Sequence, residues 1–277
     1  MTLTTSDDYV LGRSPEEYER LRAQACMWEP ETAQLLDRAG LAPGARCLDA
    51  GCGPGEAMRL LAERVGPAGQ VTGIDVDARL GAQALGMLQA AGHRQCLFAP
   101  VDVETETAVP GAPFDLVLAR LLLIHVADPV AVLRRLWDLV APGGHLIVQD
   151  YDLLTGEVVP ALDSVEEFRR VALGTFWRAG RDLRLGLRLP ELHAEAGLGA
   201  PDELEVAARV GLLPALAPLY EAVHRSLLPT ALSLGVTTHA RSDRWLETFA
   251  RESAGAVGHA ALWPLLIGSV KCKPHTS

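Results

Sequence analysis

Over its first 150 residues the chain alternates short apolar runs with amphipathic stretches, the pattern of a mostly parallel sheet covered by helices. Strands are predicted at 46–49, 70–75, 96–103, 114–119 and 144–150. Helices are predicted between them at 56–65, 78–91 and 129–140, the last closed by Ala141-Pro142-Gly143-Gly144. Two more helices precede the first strand. The one over 14–25 opens with Ser14-Pro15-Glu16-Glu17: a capping hydroxyl, a proline for the first turn, then acids facing the helix dipole. The other, 31–39, stops at Gly40. The architecture expected is α/β, a doubly wound sheet.

The rhythm changes after Asp150. Val165, Phe168, Ala172 and Phe176 recur at helical spacing, which predicts a helix over 163–176. Further helices are expected at 189–196, 212–228 and 242–253, a strand at 203–210, and a last strand at 262–270. Two irregular blocks then read as insertions capping the edge of the same sheet, without forming an independent domain. The chain divides accordingly into an N-terminal helical segment (1–40), a ligand-binding core (41–151), an insertion (152–186), a core continuation (187–210), a second insertion (211–258) and the last core strand with its tail (259–277).

Composition narrows the function. The 277 residues carry 25 basic and 35 acidic side chains, a net charge of -10 without any run of Lys or Arg. That excludes the dense cationic face of a phosphate-coating nucleic-acid binder. The five cysteines (26, 47, 52, 96 and 272) include no C-x-x-C pair, so neither a disulfide framework nor a zinc site is expected. The first 20 residues lack the basic-then-apolar profile of a secretory signal. The uncharged stretch 253–270 is broken by Gly255, Gly258, Pro264 and Gly268 and reads as a loop and a buried strand, not a membrane span. A cytoplasmic protein with no membrane or nucleic-acid partner is expected.

The sharpest local signal is Leu48-Asp49-Ala50-Gly51-Cys52-Gly53-Pro54-Gly55, between a strand and a helix. Glycines there let a backbone approach a ligand closely, and a strand-to-helix turn at the carboxyl end of the sheet is where open α/β proteins bind one. A dinucleotide fingerprint would place its third glycine at position 56, which is Glu56. A carboxylate at that helix N-terminus occupies the place a pyrophosphate needs. Asp49 beside the turn suits instead a ligand bearing an ammonium and a sulfonium, as S-adenosylmethionine does. Asp75 ends the next strand, where a carboxylate accepts ribose hydroxyls, and Asp102 near the end of the third strand is placed to accept from an adenine amino group. Each acid alone is equally well a strand terminator or a helix cap; three in phase with the glycine turn point to a site.

These residues resemble the class I S-adenosylmethionine-dependent methyltransferases, over 46–150 and more loosely over 187–210 and 260–271. The 48–55 segment is similar to that family's first motif, Ile74-Asp75-Val76-Asp77 to its ribose-binding acid, Pro100-Val101-Asp102-Val103 to its adenine-site segment, and Ala119-Arg120-Leu121-Leu122-Leu123 to the stretch flanking the methionine moiety. Leu139-Val140-Ala141-Pro142-Gly143-Gly144 resembles its L-x-P-G-G turn. The resemblance implies a Rossmann-like sheet of seven strands with the last antiparallel, helical cap insertions, S-adenosyl-L-methionine as cofactor, and a small-molecule methyl acceptor. It implies cofactor contacts at Asp49, Gly51, Cys52, Gly53, Gly55, Asp75, Val76, Asp102, Val103, Arg120 and Leu121. A homodimer is an admissible assembly.

Methyl transfer from a sulfonium is an in-line displacement, so the protein chiefly aligns the reactants and sets the acceptor's protonation. Histidine is the side chain suited to a general base near neutral pH. His125, six residues past the end of the fourth strand, is the catalytic candidate; otherwise it stabilises the turn before Pro129. His224 and His239 lie in the insertions and are weaker candidates. Tyr9, Arg13, Tyr18, Arg22 and Trp28 read either as a lid or as packing of the N-terminal helices. The apolar side chains Phe168, Phe176, Trp177, Leu212, Leu213 and Leu216 suggest an apolar or aromatic acceptor, methylated on O or C. A protein of this fold that uses the cofactor without transferring its methyl group is the alternative.

Overall fold

The computed structural model describes residues 10–11, 15–106 and 108–275; Tyr9 and Arg13, read above as lid or packing, and Ser14, read as a helix cap, lie outside the described residues. In chain order the elements are α1 (Pro15–Met27), α2 (Glu29–Arg38), β1 (Arg46–Ala50), α3 (Glu56–Val65), β2 (Gln70–Asp75), α4 (Ala78–Ala90), β3 (Cys96–Pro100), β4 (Phe114–Arg120), α5 (Pro129–Asp138) and β5 (Val140–Asp152). They continue with β6 (Glu157–Val159), α6 (Asp163–Arg178), α7 (Leu185–Glu195), β7 (Glu203–Ala207), β8 (Val210–Leu212), α8 (Leu213–Ser233), α9 (His239–Gly255), β9 (Ala260–Leu262) and β10 (Leu265–Cys272).

Seven strands form one sheet in the order β3-β2-β1-β4-β5-β10-β7. The pairs β1–β2, β2–β3, β1–β4 and β4–β5 are parallel. Lys273 exchanges backbone hydrogen bonds with Gly143 and Gly144, so the carboxyl end of β10 meets the amino end of β5 and β10 runs antiparallel to it. Strand order reverses between β1 and β4, and the carboxyl ends of those two strands flank the switch point where such sheets bind ligands. β1 is buried from Cys47 to Ala50 because both faces of a central parallel strand are covered.

The chain folds as two compact units. The larger comprises Leu21–Asp150, Gly186–Val206 and the chain from Ile267 on. Its core joins Leu35 and Leu36 of α2, Met58 and Leu61 of α3, and Cys47, Leu116, Leu118 and Ile147 of the central strands. The other unit gathers the described residues up to Arg20 with Tyr151–Leu185 and Ala207–Leu266. It holds α6, α8, α9 and a three-stranded antiparallel sheet, β6-β9-β8. Tyr220 meets Phe168 and Trp263 edge-on at 5.0 and 5.3 Å, while Trp245 stacks on Phe249 at 4.8 Å and on His224 at 4.1 Å.

The segments between β5 and β7 and between β7 and β10 add a small sheet that the hydrophobic pattern did not predict. The strand expected at 203–210 is two strands, β7 in the large sheet and β8 in the small one, and that expected at 262–270 is β9 and β10, parted at Trp263-Pro264. Strands of three residues are too short for period-two alternation to separate them from their neighbours. Helix ends differ from expectation where proline misleads. α7 begins at Leu185 and carries Pro190 inside it, and α8 runs through Pro218 and Pro229 to Ser233. The Pro142-Gly143 turn is an irregularity within β5, whose pairing with β4 jumps from Phe114↔Val140 to Leu116↔His145.

Candidate functional site

The glycine turn is held by backbone. The Gly51 and Cys52 N–H groups both donate to the Ile74 carbonyl, at 2.8 and 3.0 Å, which pins the end of β1 to the end of β2. Gly51, Gly53 and Gly55 all have positive φ, and a Cβ on Gly51 would stand 2.9 Å from Leu122 Cδ1. Glycine is required by conformation and, at position 51, by crowding. Gly73, beside Asp49 in the sheet, leaves the space taken by Met58 and Cys52. Cys52 is accordingly a small buried filler whose thiol burial pushes well above its usual range; it is no nucleophile.

Two acids converge on this turn. Asp75 Oδ2 accepts from the Gly53 N–H at 2.9 Å, and Oδ1 accepts from Asp77 N–H at 2.8 Å. Its carboxylate is thus fixed at the carboxyl end of β2. Val76 beside it is an exposed apolar residue. Asp49 is buried; its Oδ2 has no hydrogen-bond partner, and the Met58 N–H donates to the carboxyl group. Burial pushes Asp49 up to about 7, the Arg120 guanidinium pulls it down, and Asp75 pushes it further up. A buried carboxylate with an unpartnered oxygen is destabilised as an anion until a cation reaches it. That fits the ammonium and sulfonium of S-adenosylmethionine and not a pyrophosphate.

Asp102 and Val103 follow β3. Asp102 Oδ1 accepts from Glu104 N–H at 2.9 Å, so this acid also closes a local turn, and the buried Val103 gives its carbonyl to Arg135 Nη1 at 2.9 Å. On the other side of β1, Arg120 ends β4. Its Nη1 donates to Thr32 Oγ1 at 3.1 Å, and Thr32 lies 2.7 Å from Gln149 Oε1 of β5. Leu121 has φ 55, the one positive φ outside glycine among the described residues, with its N–H donating to the Gln149 carbonyl at 2.7 Å. Left-handed backbone at a branched residue costs roughly 1–2 kcal/mol and concentrates at functional sites.

His125 ends a single 3₁₀ turn, Leu123–His125, directly after that strained segment. The turn is anchored by Asp150, fully buried near the end of β5, whose Oδ2 accepts from Ile124 N–H at 3.0 Å. The larger unit therefore holds Asp49, Asp75 and Arg120 at or beside the ends of neighbouring strands, with His125 in the turn that follows β4. Thr32, Gln149 and Asp150 are functional candidates that sequence reasoning missed. Gln149-Asp150 after the apolar run Leu146-Ile147-Val148 was a usable signal; Thr32, inside a helix without a motif, was not.

Other candidates resolve as structure. His224 is buried, 2.9 Å from Ser242 Oγ and stacked on Trp245; burial lowers it to about 4. His239 is exposed at the start of α9, and His193 Nδ1–H donates to the Leu189 carbonyl at 2.8 Å. Trp28 is fully buried, a packing residue. Phe168, Phe176 and Leu213 are buried, Phe168 within the aromatic cluster, and Trp177 and Leu212 are exposed, so they give no support to an apolar acceptor. Among the described residues one group of potential metal ligands comes together, Cys26, Glu29 and Glu56, and Arg59 already pairs with both carboxylates at 2.6 and 3.4 Å. No described helix is long and apolar enough to cross a membrane.

Comparison with known proteins agrees with this geometry. The profile of a family described as "Methyltransferase domain" matches residues 18–184. Nocamycin O-methyltransferase of Saccharothrix syringae is 32% identical over 195 residues, 69% of this chain and 61% of that protein. Aklanonic acid methyltransferase of Streptomyces sp. strain C5 is 32% identical over 137 residues, 50% and 61% of the two chains. Trans-aconitate 2-methyltransferase of Paracidovorax citrulli is 36% identical over 118 residues, 42% of each. The chain spans about half the length of the curated relatives it matches, 42% to 61% for these three and the Streptomyces fradiae protein at 49%. A candidate methyltransferase from Bacillus halodurans C-125 shares the fold at TM-score 0.58 and 17% identity, covering 88% of this chain and 99% of that one. The [4+2]-cyclase SpnF shares it at TM-score 0.50 and 21% identity, covering 89% and 82%. With a family match over more than half its length and a seven-stranded sheet presenting the glycine turn at its switch point, the chain belongs to the class I S-adenosylmethionine-dependent methyltransferases.

Proposed function

We propose that the protein transfers the methyl group of S-adenosylmethionine to oxygen or carbon of a small metabolite, oxygen being favoured. The observation that carries this reading is the buried, unpartnered Asp49 oxygen beside a glycine turn tied to Asp75. In this reading Asp49 faces the cationic end of the cofactor, Asp75 the ribose hydroxyls, Val76 and Asp102–Val103 the adenine, and Arg120–Leu121 the amino-acid end. Gly51, Cys52, Gly53 and Gly55 keep the turn open to the ligand. When bound, the cofactor supplies an already activated methyl group. Holding an acceptor in line with it can contribute up to roughly 7–11 kcal/mol through pre-paid translational and rotational entropy and avoided solvent reorganisation.

His125 takes a proton from a hydroxyl or an acidic carbon, and Asp150 fixes the turn that carries it. A carboxylate acceptor needs no base. The acceptor class rests on relatives whose names specify an O-methyltransferase and methyltransferases of trans-aconitate and aklanonic acid. In this reading the protein works in the cytoplasm. A second reading keeps the cofactor and omits the transfer, since a [4+2]-cyclase is built on the same fold.

One experiment separates the two. The protein is incubated with methyl-labelled S-adenosylmethionine and a panel of hydroxylated and carboxylic metabolites. Label in an acceptor with matching S-adenosylhomocysteine supports transfer. Transformation of an acceptor without S-adenosylhomocysteine supports the second reading.

A further inference from the structure

The Thr32 hydroxyl lies at the centre of a buried polar triangle that joins three elements. On α2, Thr32 is fully buried, with its Oγ1 3.0 Å from the Trp28 carbonyl, 2.7 Å from Gln149 Oε1 and 3.1 Å from Arg120 Nη1. A threonine inside a helix ordinarily gives its proton to the carbonyl one turn back. Here the shorter contact is to Gln149, and the Trp28 carbonyl already receives the Thr32 N–H at 3.1 Å. Arginine has only donors and an amide oxygen only accepts, so a hydroxyl, able to do both, is the group that links them. Valine has the same shape and links neither.

Gln149 acts twice in this arrangement. It is the register partner of Arg120 across the β4–β5 pair, and its carbonyl holds the N–H of Leu121, the residue with positive φ. Its side chain holds Thr32. Both ends of Gln149 therefore converge on the residues around the end of β4, and α2 is tied to them through one hydroxyl. The Arg120 charge in turn acts on Asp49. A guanidinium held this way serves recognition of a planar anion, because its fork loses little freedom on binding.

We propose that Thr32 and Gln149 are positioning residues that hold Arg120 where it receives the carboxylate at the amino-acid end of the cofactor. This rests on the reading of Arg120 as a cofactor contact. They act through Arg120, so their effect is confined to ligands that carry that carboxylate.

The test compares S-adenosylhomocysteine with 5′-methylthioadenosine, which has the nucleoside and lacks the amino-acid end. Dissociation constants are measured calorimetrically for wild type, T32V, T32S, Q149L and R120A. T32V and Q149L weaken S-adenosylhomocysteine about tenfold, the scale of one lost hydrogen bond to a charged group, and leave 5′-methylthioadenosine within about twofold. T32S restores the wild-type ratio, and T32V adds nothing in an R120A background. Equal weakening of both ligands, or none, overturns the proposal, because a general packing role moves both together. Wild type binding neither ligand overturns the cofactor reading as well, and is recognised by failing before any substitution is made. Q149L, which breaks the same link from the β5 side, provides the comparison even if T32V proves unstable.

Discussion

Replacing Asp49 with asparagine should stabilise the ligand-free protein and impair it as a cofactor binder. An ordinary aspartate ionises at 3.8 and Asp49 at about 7. At 1.36 kcal/mol per tenfold change in proton affinity, that displacement corresponds to about 4 kcal/mol held against the native state when the group is charged. The sign follows from proton counting. Between 3.8 and about 7 the native chain keeps a proton that the unfolded chain has released. Stability therefore falls as pH rises across that window, and the full cost is present above it.

An asparagine side chain carries no charge and escapes the cost at every pH. The stability of D49N relative to wild type, measured by urea titration at matched pH, should rise by about 2–4 kcal/mol between pH 4 and pH 8. Other titrating groups are common to both proteins and cancel. The same substitution removes the anion that the ligand's positive charge neutralises. Affinity for S-adenosylmethionine at pH 8 should fall about ten- to a hundredfold, the scale of one charge-assisted hydrogen bond. A stability difference that stays flat with pH would refute the buried-charge argument. Unchanged affinity would refute the role of Asp49 in the site.

Three further outcomes are expected. D75A should lose at least tenfold in affinity for S-adenosylmethionine, read by calorimetry, while its circular dichroism stays native, since the Asp75 side chain bonds the ligand turn at its rim. H125A should lower turnover far more than cofactor affinity on a hydroxyl acceptor, and equal activity would relegate His125 to holding its turn. His224, lowered from 6.5 to about 4, stays neutral in the native state while the unfolded chain takes up a proton; its contribution is complete above pH 6.5 and is lost as pH falls toward 4. H224Q should therefore lose less stability than wild type over that interval, followed by thermal melts, with methyl transfer at pH 8 unaffected.

The parts of the fold legible in the sequence are those with long periodic segments. α3 and β2 fall at the residues that alternation and glycine punctuation specify, and so does the turn between Asp49 and Gly55. Asp49 and Asp75 stood out in the sequence because each lies at or next to the end of a strand in phase with that turn. Asp102 was legible only as an acid near a strand end; its use in closing a turn depends on backbone geometry that spacing does not encode. The small sheet escaped because its strands have three residues each, and Thr32 escaped because its partners Arg120 and Gln149 are 88 and 117 residues away. Contacts of that span are made by the folded sheet, and a single sequence carries no mark of them.

The most direct test of the account is a calorimetric titration of the purified protein at pH 8 with S-adenosylmethionine and, separately, with NAD. The buried Asp49 oxygen, the glycine turn and Asp75 predict saturable binding of S-adenosylmethionine in the micromolar range, weakened in D49N, with no heat from NAD. Binding of NAD alone, or of neither ligand, would contradict the assignment of the site.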